Sequence, residues 1–217
     1  MKAYWDVKQR TPEWFELKWG KIGGSTSKGL FVPSDTLLIE ILAELTEECQ
    51  IEPDPFINSE MQRGIDLEPV GRAKLEMFTK VTFKDAGWLQ CEENALLGIS
   101  PDGITEDLTI SCEGKCPGRK KHIETVLSDK VPHDNIHQCL HYFTINPKLV
   151  KHYFFSFRPE SDYPFWVKEL TRDSIIDLGT KSKPNCKTVR EWVDIAKFNA
   201  KELQENIKLA IQQLEKI

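Results

Sequence analysis

No stretch of the 217 residues approaches the ~18 consecutive apolar residues that a membrane-spanning helix requires, so no membrane association is expected. The first residues, Met1-Lys2-Ala3-Tyr4-Trp5-Asp6, lack the apolar core of a secretion signal, and a cytoplasmic location is expected. Internal repeats, low-complexity tracts and long Gly/Ser/Pro linkers are also missing. That favours one domain over 1–217, with a C-terminal helical segment at about 188–217 packing on or extending the core. The six cysteines (Cys49, Cys91, Cys112, Cys116, Cys139, Cys186) have no regular spacing and read as free thiols in a reducing compartment. An excess of positive charge is lacking too. The formal net charge of -5 argues against a broad basic surface for nucleic acid. It leaves room for a metal-centred site, because bound cations reverse the local field.

What is present reads as alternating helices and strands. Ser34-Asp35 followed by Leu37, Leu38, Ile41, Leu42 and Leu45 predicts a capped amphipathic helix ending before Pro53-Asp54-Pro55. Glu60 to Thr79 is helical in pattern, with Gly64 and Pro69 predicting a break or a new start near Glu68. Strand signals follow at Val81–Phe83, Gly87–Cys91, Leu96–Ile99 and Leu108–Cys112, then at Val150–Phe157 and Phe165–Leu170. A helix is expected from His133 to Ile145, and one long helix or two from Val189 to Ile217, with Phe198 and Leu214 among its apolar positions. This order fits an α/β (mixed α+β) fold with a central mixed sheet flanked by helices.

The chemistry-bearing window is Ser100-Pro101-Asp102-Gly103, followed by Cys112-Glu113-Gly114-Lys115-Cys116-Pro117. Pro101 and Gly103 place Asp102 at a turn. Glu113 and Lys115 sit two apart at or just beyond the end of a strand, where side chains so spaced share a face roughly 6.6 Å apart. Two carboxylates offer oxygen ligands to a hard cation such as Mg²⁺, and a neighbouring lysine can act on water or offset developing charge. Taken alone, Glu-x-Lys is more simply a surface pair, and Arg119-Lys120-Lys121-His122 is more simply a solvated loop. Gln138 and Tyr142 stand at i and i+4 on one helix face, and Glu68 adds a further carboxylate.

Together these residues resemble the PD-(D/E)XK nuclease superfamily, with Asp102 as its aspartate and Glu113-Gly114-Lys115 as its (D/E)XK. Gln138 to Tyr142 resembles the QxxxY element of the RecB-like branch. Within it the chain is most similar to the phage lambda exonuclease and YqaJ-type viral recombinase family. Trp14 to Ser25, Gly64 to Pro69, Ser100 to Gly103 and Glu113 to Pro117 carry that likeness over roughly residues 10 to 170.

The resemblance implies a metal site of Asp102, Glu113, the Gly114 carbonyl and Glu68, holding two Mg²⁺ ions with Mn²⁺ able to substitute. It implies that Lys115 acts on the nucleophilic water, assisted by Gln138. Lys18, Ser25 and Ser100 would hold a 5′-phosphate, with Tyr142 and Arg119 as further DNA contacts. It further implies 5′-to-3′ digestion of linear double-stranded DNA that leaves a 3′ overhang, a homotrimer ring and a single-strand annealing partner in phage recombination. Three departures stand out: Lys18 where relatives carry arginine, Gly23-Gly24 for Thr-Ala, and Gly114 for an aliphatic residue. Lysine cannot form a bidentate fork to phosphate. The glycines leave backbone N–H groups to approach an anion, and Gly114 gives up packing beside the site.

Two other readings remain. One is a PD-(D/E)XK endonuclease, although no base-reading element is evident. The other is a zinc-stabilised, non-catalytic binding module using His133, His137 and His141 with Cys112 and Cys116.

Overall fold

The computed structural model describes residues 1–49, 59–180 and 182–216. In chain order its elements begin with strand β1 (Lys2–Tyr4) and helices α1 (Pro12–Lys18), α2 (Lys28–Phe31), α3 (Asp35–Leu45) and α4 (Ser59–Thr79). Strands β2 (Trp88–Gln90), β3 (Gly98–Ile99), β4 (Gly103–Ile104) and β5 (Ile110–Lys115) follow, then helices α5 (Arg119–Ser128) and α6 (His133–Ile145). Strands β6 (Lys151–Phe157), β7 (Phe165–Thr171), β8 (Ile175–Asp177) and β9 (Cys186–Thr188) lead into helix α7 (Val189–Leu214).

The central sheet has the order β4-β5-β6-β7 and is mixed: β5 and β6 run parallel, and the outer pairs are antiparallel. Helices α5 and α6 make the crossover that a parallel pair demands. The alternation of β6 explains the layering. Tyr153, Phe155 and Phe157 join Leu75 of α4 and Phe83 in one buried cluster. Phe154 joins the larger cluster with Tyr142 and Phe143 of α6 and Trp192 of α7. Residues two apart share a face, so this sheet is covered on both sides.

Helix α7 is one helix. Its N-terminus is closed by a reciprocal capping box in which Thr188 Oγ1 accepts from the Glu191 N–H and the Glu191 carboxylate accepts from the Thr188 N–H. Val189, Trp192, Val193, Ala196 and Ala200 bury one stripe, whereas Phe198 and Leu214, expected to be apolar contacts, are exposed. Smaller sheets β1-β2-β3 and β8-β9 complete the chain; β1, β8 and β9 were not foreseen.

Other expectations need correction. Val81–Phe83 forms no strand, because α4 side chains capture its donors: the Phe83 N–H donates to Glu76 Oε1 and the Val81 N–H to Thr79 Oγ1. Helix α4 runs unbroken through Pro69, which sits inside it. The run from Arg119 is the first turn of α5 rather than a loop, and His122 is buried there between Ser156 Oγ and the Tyr163 carbonyl. Ser34 is the N-cap of α3 but its side chain makes no capping bond. Pro53-Asp54-Pro55 lies outside the described residues.

Candidate active site

Alternation along β5 divides its side chains between two environments. Cys112 turns to the α4 side, where it packs with Leu75 and Phe83. Ser111 and Glu113 turn to the α6 side: Ser111 Oγ lies 2.8 Å from His152 Nδ1, and the Tyr142 hydroxyl donates to Glu113 Oε2 at 2.8 Å. Lys115, two residues on, shares that face, and its Nζ donates to Glu113 Oε1. Glu113 is therefore buried with a partner on each oxygen.

Asp102 comes from the turn entering β4. Because Gly103 is the register partner of Cys112, the Asp102 carboxylate falls beside β5, and the Gly114 N–H donates to Asp102 Oδ2 at 2.8 Å. Helix α4 brings Glu68 to the same place. A cleft of about 580 Å³ opens there, with Glu68 and Asp102 on its wall beside the 5–9 segment.

The electrostatics record this crowding. Burial first, then the Glu113 charge, pushes the Asp102 carboxyl well above the usual carboxylate range. Glu68 is raised for the same two reasons in the same order. Burial works against the charge on Lys115, but the Glu113 and Asp102 carboxylates outweigh it and hold the ammonium above an ordinary lysine. Three carboxyl groups and one lysine thus share a partly buried site whose negative members repel each other.

The remaining expected residues are placed less uniformly. Ser100 Oγ accepts from the Trp14 indole N–H at 2.6 Å, and Lys18 Nζ lies 4.4 Å from a Trp14 ring centroid, so Trp14 gathers both. Ser25 is exposed on the turn after Gly24. A Cβ at Gly24 would lie 2.8 Å from Gln138 Nε2, so that turn is pressed against α6 next to Gln138. The Gly23 N–H, expected to face an anion, instead donates to Thr26 Oγ1 at 3.0 Å. Tyr142, expected as a DNA contact, is buried with its hydroxyl committed to Glu113. Arg119 is exposed at the start of α5.

Gly114 also departs from expectation. Packing is not lost there: a Cβ would meet the Phe155 ring, 2.6 Å from Cε2 and nearer still to Cζ, because Phe155 is its register partner and fills that space. The structure does not gather the residues of the zinc reading. Cys112 is packed on the α4 side of the sheet, whereas His141 Nε2 donates to the Gly98 carbonyl at 2.9 Å and His137 packs against Phe31. Among the described residues, no group of three or more His, Cys, Asp or Glu is already spaced to hold a metal ion; Asp102, Glu68 and Glu113 meet with the Lys115 ammonium on Glu113 Oε1. Sequence reasoning passed over Arg72, whose Nη1 donates to the Asp102 carbonyl at 2.7 Å and to Asp85. Its only signal was a place one helical turn after Glu68.

Known proteins supply the context. The model of the YqaJ-like viral recombinase domain matches residues 13–147, more than half of the chain. The fold is similar to that of LHK-Exo in complex with dAMP, with a TM-score of 0.77 and 22% identity over 95% of this chain and 97% of that one. It is likewise similar to the alkaline exonuclease LHK-Exo from Laribacter hongkongensis, with a TM-score of 0.73 and 24% identity over 95% and 99% of the two chains. A phage-related exonuclease from Haemophilus somnus 129PT shares it more loosely, with a TM-score of 0.56 and 12% identity over 92% and 99%. At these identities the likeness is one of fold, a mixed sheet flanked by helices of the PD-(D/E)XK-like kind. No curated protein matches the sequence. The matched span contains Glu68, Asp102, Glu113, Lys115 and Gln138, and the chain belongs to the YqaJ-like viral recombinase domain family.

Proposed function

We propose that this chain is a metal-dependent DNA exonuclease that digests one strand of linear duplex from its 5′ end, leaving a 3′ overhang for recombination by strand annealing. The observation that carries this reading is the meeting of Asp102, Glu113 and Glu68 with Lys115 at the β4–β5 edge. The structural relatives are exonucleases by description, and one holds dAMP.

The donor set fits a hard divalent cation, Mg²⁺ with Mn²⁺ as a substitute. Carboxylates that raise one another's pKa are relieved by a cation among them, and the oxygens of Asp102, Glu113, Glu68 and the Gly114 carbonyl would hold one or two ions. When bound, the cation supplies Lewis-acid polarisation of the phosphodiester and acidification of water. Each Glu113 oxygen has one protein partner, so a cation there would use a remaining lone pair or take the place of the Lys115 ammonium on Oε1. Lys115 then presents a charged N–H donor to water or to the oxygen on which charge develops. Tyr142 keeps Glu113 oriented, and Gln138, one helical turn before Tyr142, lies against the Gly24 turn. Ser100, whose oxygen already accepts from Trp14, has its own hydroxyl proton to give to a terminal phosphate, with Lys18 on Trp14 beside it; Ser25 is exposed on the turn that follows Gly24. A ring of three copies would offset the weak hold of an acidic chain on DNA, and a single-strand annealing protein in the cytoplasm would take the product strand.

Initial rates on linear duplex with a 5′-phosphate, the same duplex with a 5′-hydroxyl, and closed circles in Mg²⁺ test this. Phosphorylated ends are expected to be degraded roughly tenfold faster than hydroxyl ends, and closed circles to resist. Asp102→Ala and Glu113→Ala each lose about a thousandfold in rate. Lys115→Ala loses turnover but keeps duplex binding in Ca²⁺. Rapid nicking of closed circles without dependence on the 5′ end would replace this reading by the endonuclease.

A further inference from the structure

The following rests on the cation site proposed above and concerns what holds that site together. Its parts come from three places: Glu68 from α4, Asp102 from the turn before β4, and Glu113 with Lys115 from β5. The carboxylates repel one another, which favours separation of the turn and the strand end from the helix. Two arginines of α4 bracket Glu68, about 13 Å apart along the helix axis. Each reaches a backbone carbonyl at one margin of the site.

Arg72 Nη1 donates to the Asp102 carbonyl at 2.7 Å and also to the Asp85 carboxylate. Its stem crosses Gly103: a Cβ there would lie 3.1 Å from Arg72 Cδ and 2.8 Å from Cys112 Sγ, so glycine next to Asp102 leaves room for the arginine. At the other margin, Arg63 Nη1 donates to the Cys116 carbonyl at 2.9 Å, directly after Lys115, while its Nη2 donates to Glu160 Oε2 at 2.8 Å. Arg158 supports the same stretch by donating to the Pro117 carbonyl at 3.2 Å. The side chains of Arg63 and Arg72 are 21% and 19% exposed, so solvent competes with these bonds only in part. Both use the guanidinium to engage a carbonyl and a carboxylate at once, with a fixed planar geometry that a lysine ammonium does not have.

We propose that Arg63 and Arg72 are positioning residues that register α4, and with it Glu68, against the Asp102 turn and the Lys115 end of β5. They preorganise the cation site and take no part in holding DNA. Constellations of this kind lose function when their supports loosen by about 1 Å.

The test compares Arg72→Lys, Arg63→Lys and Asp85→Asn in the full chain. Asp85→Asn removes the charge of Arg72's outer anchor on the cleft wall and leaves Glu68, Asp102, Glu113 and Lys115 in place. Four quantities are measured: Mn²⁺ binding without DNA, kcat and KM on 5′-phosphorylated linear duplex, and Tm in EDTA. Both arginine variants are expected to bind Mn²⁺ about tenfold more weakly and to lose about tenfold in kcat, with KM within about twofold and Tm in EDTA nearly unchanged. Asp85→Asn is expected to weaken Mn²⁺ binding about threefold, and it decides the matter if Arg72→Lys does not fold. Unchanged Mn²⁺ affinity in Arg72→Lys, or in Asp85→Asn in its place, overturns the proposal. A raised KM with unaltered Mn²⁺ binding overturns it too, by making the arginines DNA contacts. Failure of the wild-type chain to bind Mn²⁺ at all would instead remove the cation site, and this inference with it.

Discussion

Gly114 and Phe155 occupy one space between them. The ring is held from the β5 side by Gly114 and from the α4 side by Gly71, where a Cβ would lie 2.6 Å from Phe155 Cε2. Full burial of a phenylalanine side chain stabilises by about 1.5–3 kcal/mol, and here that burial stiffens the strand beside Glu113. Gly114→Ala is therefore expected to cost about 1–3 kcal/mol by overpacking. Combined with Phe155→Leu, the two losses should fall short of their sum by about 1 kcal/mol or more. Urea unfolding of the four proteins in this cycle measures the coupling, and strict additivity would separate the two residues. The sequence displayed Gly114 but not its reason, because the residue that excludes a side chain stands on β6, on the far side of the α5–α6 crossover.

Helix α4 is where local rules and tertiary packing disagree. Pro69 has no N–H, so the Ile65 carbonyl loses its helical donor, and the local expectation is a break. The helix continues because Gly71 and Leu75 seat it against Phe155, Phe157 and Phe83, and because Arg63 and Arg72 tie both its halves to the residues directly flanking β5 and β4. Pro69→Ala should restore one backbone hydrogen bond and raise unfolding stability by about 1–3 kcal/mol, seen as a higher urea midpoint. A lower midpoint would mean that the proline geometry itself is needed. By contrast, α6 was legible from end to end, since Ile136, Cys139, Leu140 and Phe143 recur at helical spacing and all four are buried.

At the scale of the molecule, histidines and carboxylates pull in opposite directions as pH falls. His141 and His152 are fully buried, and desolvation lowers them to about 4 and about 3. Among the described residues, His141 Nδ1 and His152 Nε2 have no hydrogen-bond partner, which suits neutral rings. Below the unfolded histidine value of about 6.5 the unfolded chain takes up protons that the native one refuses. Stability should fall from there towards pH 4, by up to about 1.4 kcal/mol per pH unit for each ring. Asp102 and Glu68 are raised instead, so the native state binds protons first and acid relieves their repulsion, offsetting part of the loss. A divalent cation keeps those carboxylates ionised and cancels the offset, and acid then also weakens its binding. Denaturation at pH 7.5 and 5.0 should therefore show a steeper acid loss in Mg²⁺ than in EDTA. Equal slopes in the two conditions would contradict a cation between Asp102 and Glu68.

The sequence by itself determined the helix-flanked sheet, the two-residue spacing that lets Glu113 and Lys115 share a face, and the turn that presents Asp102. All three follow from short-range rules of side-chain period and turn chemistry. Only the tertiary structure decided that the Tyr142 hydroxyl donates to Glu113, that Gly23 spends its N–H on Thr26, and that Arg72 reaches the Asp102 carbonyl. Those outcomes depend on which faces meet when α6 and α4 close on opposite sides of the sheet. No local pattern carries that information, because hydrogen-bond partners are chosen by proximity in the folded chain and not by spacing along it.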